Sequence, residues 1–390
     1  MSQFDEIIDR KGTSCLKYDF AVERGYKADI LPFWVADMDF RTAPVIREEL
    51  KKWADFGIFG YTNIKPDYRE SVLRWQARRH GFHPSPESLV ITPGVVFALA
   101  TAARAFTKQG DAILIQQPVY YPFSNIIRNN DRHIINSPLV YRNGRYEIDF
   151  NDFEKKIAVN DVRLFLLCNP HNPVGRVFTR EELTRLGDIC RKHGVLVVSD
   201  EIHAEFVRSG HKHIPFASLS PALADITVTC TAPSKTFNLA ALQISNIFIE
   251  NEELRRTFKK ELAATGYDEP NMLGLFAAKA AYDKGEPWLL ELSAYLEQNL
   301  EIAKTFLAEE LPKVKLVEPE GTYLIWLDFS AFDLSDAEIN RIIIEDAGLW
   351  LDAGGIFGKD GEGFQRINIA CPRATLQEGL KRLTAAFRGK

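Results

Sequence analysis

The chain has 390 residues, 46% hydrophobic and 26% charged, with a formal net charge of −5, the make-up of a globular enzyme with one big core and a second, smaller unit. Lys and Arg are interspersed with Asp and Glu, which excludes a nucleic-acid stripe or a polybasic membrane surface and leaves small-molecule chemistry. Five scattered cysteines without a C-x-x-C pair argue against a disulfide framework and a zinc ribbon and for a reducing compartment.

At the amino end, MSQFDEIIDRKG is charged from residue 5 onward and lacks an apolar signal-peptide core, so a cytoplasmic protein is expected. A large α/β domain is expected over residues 43–285, with VVFALATAARAF, after Pro93 and Gly94, as one of its helices. AILI (Ala112–Ile115), VRLFLLC (Val162–Cys168), GVLVVS (Gly194–Ser199) and ITVTCT (Ile226–Thr231) are short apolar runs with little polar alternation, the pattern of strands covered on both faces. Between two of them, TREELTRLGDICRKHG reads as a helix with a Thr179–Glu182 capping box, an apolar face of Leu183, Leu186, Ile189 and Cys190, and a stop at Gly194. Strand, helix, strand predicts a three-layer sandwich around a mostly parallel sheet. Residues 1–42 and 286–390 are expected to form a smaller α+β domain: a long amphipathic helix starts near Pro287, and VKLVEPEGTYLIWLDF shows strand patterning.

Polar and aromatic groups cluster just after the buried strands. AILI is followed by QQPVYYPF, RLFLLC by NPHNPVG, LVVS by DEIH and TVTCT by APSKTFN. The carboxyl edge of an open α/β sheet is where ligands bind, so Lys235 is expected to share a crevice with Tyr120, Asn172 and Asp200. A lysine shielded from water can lose its proton and form a Schiff base with a carbonyl, and a pyridoxal cofactor needs a carboxylate against its pyridinium nitrogen. The set meets that demand.

The motifs NPHNPVG, SDEIH and APSKTFN, in that order, resemble those of the fold type I pyridoxal-phosphate enzymes of the aspartate aminotransferase class. WVADMDF (Trp34–Phe40), GYT (Gly60–Thr62), PVYYPF, AAYDKGEPWL, YLIWLD and FQRINIACPR narrow the resemblance to the cystathionine β-lyase subgroup of carbon–sulfur lyases, over nearly the whole chain.

The resemblance implies pyridoxal 5′-phosphate as cofactor, held by Lys235, which then moves the substrate α-proton, and Asp200 against the ring nitrogen. It implies Asn172 at the ring's phenolic oxygen, Tyr120 stacked on the ring, and Tyr121 on the substrate side. Gly94, Val95 and Val96, at the amino end of a helix, would seat the phosphate with Ser234. Arg366 and the backbone amide of Ala36 would bind the substrate carboxylate. Tyr61 would reach the phosphate of a neighbouring subunit, implying a homodimer. Read without the resemblance, Asp200 is also a good helix cap, Asn172 a turn residue, Tyr121 a core aromatic, Ser234 a surface hydroxyl, and Pro93-Gly94 an ordinary turn.

Two positions depart from the aminotransferases of this class: His203 stands where they have a tyrosine, and Gln243 where they have a phosphate-binding arginine. No metal is expected, because His203, His211 and His213 lack the spacing of a metal motif. Three functions compete: β-elimination from a cysteine-derived amino acid, transamination on the same scaffold, and a binding or regulatory protein that has lost catalysis.

Overall fold

The computed structural model describes residues 2–390. Its central layer is a seven-stranded sheet: β1 (Leu89–Thr92), β2 (Ala112–Ile115), β3 (His133–Asn136), β4 (Val162–Cys168), β5 (Leu196–Asp200), β6 (Thr227–Thr231) and β7 (Ser245–Phe248). The spatial order is β1-β7-β6-β5-β4-β2-β3. β7 runs antiparallel to both neighbours, and the remaining pairs are parallel.

The unbroken apolar character of β4 follows from burial on both faces. Leu164, Leu166 and Cys168 point into one cluster with Ala98, Leu99 and Ala102 of the helix Val95–Phe106. Phe165 and Leu167 point into another with Leu183, Leu186, Ile189 and Cys190 of the helix Arg180–Lys192. Helix, sheet and helix make the three layers. Each fully buried side chain of this kind contributes about 1.5–3 kcal/mol before entropy is charged against it.

The helix Arg180–Lys192 starts as the sequence indicates. Thr179 Oγ1 accepts from the Glu182 amide at 3.2 Å, and the Glu182 carboxylate accepts from the Thr179 amide at 2.8 Å. Gly194, at φ +68°, then turns the chain into β5.

A third cluster joins the 25-residue helix Glu286–Glu310 to a four-stranded antiparallel sheet of β8 (Lys315–Val317), β9 (Leu324–Asp328), β10 (Asp352–Ala353) and β11 (Phe364–Asn368), ordered β8-β9-β11-β10. The loop between β10 and β11 doubles back tightly: a Cβ on Gly354 would stand 1.8 Å from the Gly361 carbonyl oxygen, so only glycine fits there. No helix among the described residues is long and apolar enough to cross a membrane.

Candidate active site

Parallel register aligns three strand ends. Cys168 of β4 pairs with Asp200 of β5, and Asp200 with Cys230 of β6, so the loops carrying Asn172, Asp200 and Lys235 leave the sheet side by side. Their backbones are stitched together where they leave. Asn169 N donates to Asp200 O, and Glu201 N to Cys230 O, both at 2.9 Å.

The loops enclose a cavity of about 170 Å³ lined by Ala36, Gly94, Val95, Val96, Tyr120, Asn172, Asp200, His203, Ser234 and Lys235. Pro93, Cys168, Ile202, Ala240, Gln243 and Ile244 complete its wall. Arg366 lies just behind it: its guanidinium donates to Asn172 Oδ1 at 2.9 Å and to the Trp34 carbonyl at 2.7 Å, and it is ion-paired with Asp352. Tyr121 faces an adjoining cavity. Tyr61 stands apart from both, 95% exposed.

Lys235 sits in the short helix Pro233–Thr236 directly after β6, and its Nζ donates to the Ala36 carbonyl at 2.7 Å. Burial, aided by the nearby Arg366 charge and opposed by Asp37 and Asp200, lowers its pKa to about 8. Asp200 is 4% exposed and accepts from the Ile202 amide at 3.1 Å. Among the described residues it has no ion-pair partner. Burial raises its pKa to about 7, with Glu201 adding to the rise and Lys235 opposing it. His203 is buried, its Nδ1 has no partner, and burial beside Lys235 and Arg366 lowers its pKa to about 3, so it is neutral. His213 Nε2 lies 3.0 Å from Glu201 Oε2.

The segment Trp34–Phe40 forms one side of the site and is pinned at nearly every residue. Tyr323 donates its hydroxyl to Ala36 O at 2.9 Å, and Asn368 Nδ2 donates to Val35 O and Asp37 O at 2.7 and 2.6 Å. Asn238 exchanges bonds with the Met38 backbone and donates to Phe40 O, while the fully buried Lys17 pairs with Asp39 at 2.7 Å. Ala36 thus presents to Lys235 a carbonyl held in place from strand β11, through Asn368, and from the loops that carry Tyr323 and Asn238. Sequence reasoning missed Tyr323, Asn238, Asn368 and Asp352. For Asn368 the available signal was a polar residue inside the otherwise apolar stretch RINIA, where a buried polar group implies a specific partner.

Chemically, the site combines a lysine that is readily deprotonated, a buried carboxylate without a cation, and the amino end of the 12-residue helix Val95–Phe106, where free N–H groups favour an anion. Lys235 is the sole cationic side chain in the cavity wall, with Gln243 in the position where an arginine would have added a second.

The family profile for aminotransferase class I and II matches residues 28–383. The chain belongs to this family. Among its relatives, the protein named cystathionine beta-lyase PatB of Bacillus subtilis (strain 168) is 49% identical over 384 residues, 98% of this chain and 99% of that protein. Cystalysin from Treponema denticola, whose crystal structure contains a pyridoxal 5′-phosphate cofactor, superposes with a TM-score of 0.96 at 38% identity, covering 100% of this chain and 99% of that one. The PLP-bound C-S lyase from Staphylococcus hominis superposes with a TM-score of 0.92 at 38% identity, covering 100% and 98%. PatB and the Staphylococcus hominis protein, both named as lyases, thus resemble the chain over nearly its whole length.

Proposed function

We propose that the protein is a pyridoxal 5′-phosphate-dependent carbon–sulfur β-lyase that converts L-cystathionine or related S-substituted cysteines to pyruvate, ammonia and a thiol. The observation that carries this reading is the pairing, in one cavity, of Lys235 with a pKa lowered to about 8 and a buried Asp200 that has no ion-pair partner among the described residues. A carboxylate in that state fits a protonated ring nitrogen, and the helix end at Gly94–Val96 fits a phosphate. The cofactor supplies an electron sink next to the substrate Cα.

The chain's own residues do the rest. Lys235 would hold the cofactor through its Nζ and would take the proton from the substrate Cα. Asp200 would keep the ring nitrogen protonated, Tyr120 would hold the ring, and Asn172, whose Oδ1 accepts from Arg366, would offer its amide nitrogen to the phenolic oxygen. Ser234 joins the phosphate-binding amides, and neutral His203 adds no charge beside the ring. Arg366, whose buried Nε has no partner among the described residues, would bind the substrate α-carboxylate together with the Ala36 amide, and Tyr121 would border the substrate. The Cβ–S bond then breaks, its electron pair leaves with the thiolate, and hydrolysis of the remaining three-carbon unit gives pyruvate and ammonia.

Arg366→Ala is expected to weaken substrate use more than cofactor binding. Losing a charge-assisted hydrogen bond costs about 1.5–3 kcal/mol, or roughly ten- to a hundredfold in kcat/KM. Unchanged kcat and KM, measured by steady-state kinetics, contradict that role.

The division at residues 42/43 and 285/286 and the cytoplasmic setting belong to the same proposal, the latter supported by five cysteines that are all unpaired. Phe56, Ile58, Phe59 and Tyr61 are 56%, 63%, 61% and 95% exposed, an apolar run suited to a second copy of the chain. In that homodimer Tyr61 reaches the phosphate of the neighbouring site. The experiment that tests the function is product analysis after incubation with L-cystathionine: pyruvate, ammonia and homocysteine are expected in equal amounts, and unchanged substrate contradicts the reading.

A further inference from the structure

Arg366 is a partition between two cavities. On one side it touches Asn172 in the wall of the Lys235 cavity; on the other it touches Trp34 and Asp352, which line a second cavity of about 620 Å³. Tyr121 borders that second space, its ring centroid 5.3 Å from that of Tyr120 in the first. A substrate whose α-carboxylate lies at Arg366 therefore has room for its sulfur substituent next door.

The second cavity is built for something other than an aliphatic chain. Trp34 and Trp350 stack with centroids 4.4 Å apart and planes 14° from parallel, and the Arg24 guanidinium lies over them, 4.8 Å from the Trp34 ring centroid and 5.7 Å from that of Trp350. Stacking on indole fixes the plane of the guanidinium while leaving its N–H edges free. Among the described residues Arg24 has no ion-pair partner and no side-chain hydrogen bond, whereas the other charge in the wall, Asp352, is neutralised by Arg366. An unspent cation in the wall of a cavity that adjoins the Arg366 site calls for an anionic acceptor.

We propose that this cavity receives the leaving-group half of the substrate and that Arg24 binds a carboxylate carried on it. The preferred substrates are then S-substituted cysteines whose thiol bears an acid group, as the homocysteine half of L-cystathionine does. The assignment rests on the lyase reading above for its place in the reaction, but not for the binding itself.

Two experiments separate the two claims. In the first, pyruvate release by the holoenzyme is measured with L-cystathionine and with S-methyl-L-cysteine, whose leaving group is uncharged. Arg24→Ala should lower the ratio of kcat/KM for the first over the second about fivefold to tenfold, the modest size befitting an exposed arginine. Arg24→Glu should lower it further and raise the relative use of S-(2-aminoethyl)-L-cysteine, whose leaving group is cationic. An unchanged ratio in both variants overturns the proposal.

The second experiment uses 3-(methylthio)propanoate and its amide, neither of which has an amine to react with the cofactor. Their binding is followed by quenching of tryptophan fluorescence. The acid should bind more tightly than the amide, and Arg24→Ala should remove most of that difference. Equal binding of acid and amide, or an acid preference untouched by Arg24→Ala, overturns the assignment even if no substrate is turned over. Normal acid binding with no pyruvate from any S-substituted cysteine would instead sink the lyase reading and leave the Arg24 site standing.

Discussion

Lys235→Ala is expected to reduce pyruvate formation from L-cystathionine by roughly 10²–10⁴-fold or more, because it removes both the covalent anchor of the cofactor and the base at Cα. The fold should survive the change. The Ala36 carbonyl that Lys235 contacts also accepts from Tyr323, so no buried acceptor is orphaned. The same lysine can be marked directly in the wild-type protein: borohydride reduction followed by peptide mass analysis should place the pyridoxyl mass on Lys235. Finding it on another lysine, or normal turnover by the variant, contradicts the assignment.

Asp200→Asn is expected to slow loss of the α-proton by roughly 10²–10³-fold, the usual scale for removing one preorganised electrostatic contact. Asparagine keeps the shape and the hydrogen bond from Ile202 but cannot hold the ring nitrogen protonated by charge. The slowing can be separated from misfolding through pH. In the protein without cofactor, burial raises the Asp200 pKa from 3.8 to about 7, so between those values the folded state holds a proton that the unfolded state has released. Stability therefore falls as pH rises through that window, and the neutral asparagine abolishes this contribution. The variant without cofactor should accordingly be no less stable than wild type above pH 7 in a denaturant titration. Wild-type rates with a flat pH–stability profile would remove Asp200 from the electron sink.

Much of the sheet was legible because its strands are buried on both faces and so read as unbroken apolar runs; AILI and VRLFLLC coincide with β2 and β4. β7 escaped because SNIF contains Ser245 and Asn246, whose side chains are satisfied by Thr92 and by Tyr68 and Tyr282 far away in sequence. β3 is an edge strand, half-exposed, without a sustained apolar signal.

The gathering of Tyr120, Asn172, Asp200 and Lys235 was legible for a topological reason: parallel strands deliver all their carboxyl ends to one edge. What surrounds them was not. Asp352 reads as part of a glycine-rich loop, yet the antiparallel pairing of β10 with β11 places it directly opposite Arg366. Tyr323 and Ala36 are 287 positions apart, and no local period announces such a bond. Arg24, in an exposed 3₁₀ turn, gives no hint in sequence that two indoles lie beneath it.

The central claim, elimination at the Lys235–Asp200 site, is tested most directly by counting equivalents. In β-elimination the electrons taken at Cα depart with the thiolate and the cofactor is regenerated each cycle, so no second substrate is consumed. In transamination the amino group stays on the cofactor, and conversion stops until a 2-oxo acid accepts it. With L-cystathionine and no 2-oxo acid present, many turnovers per subunit are expected, with pyruvate, ammonia and homocysteine in equal amounts. Conversion that halts near one equivalent per subunit, and resumes when a 2-oxo acid is added, would contradict the lyase and make the protein an aminotransferase.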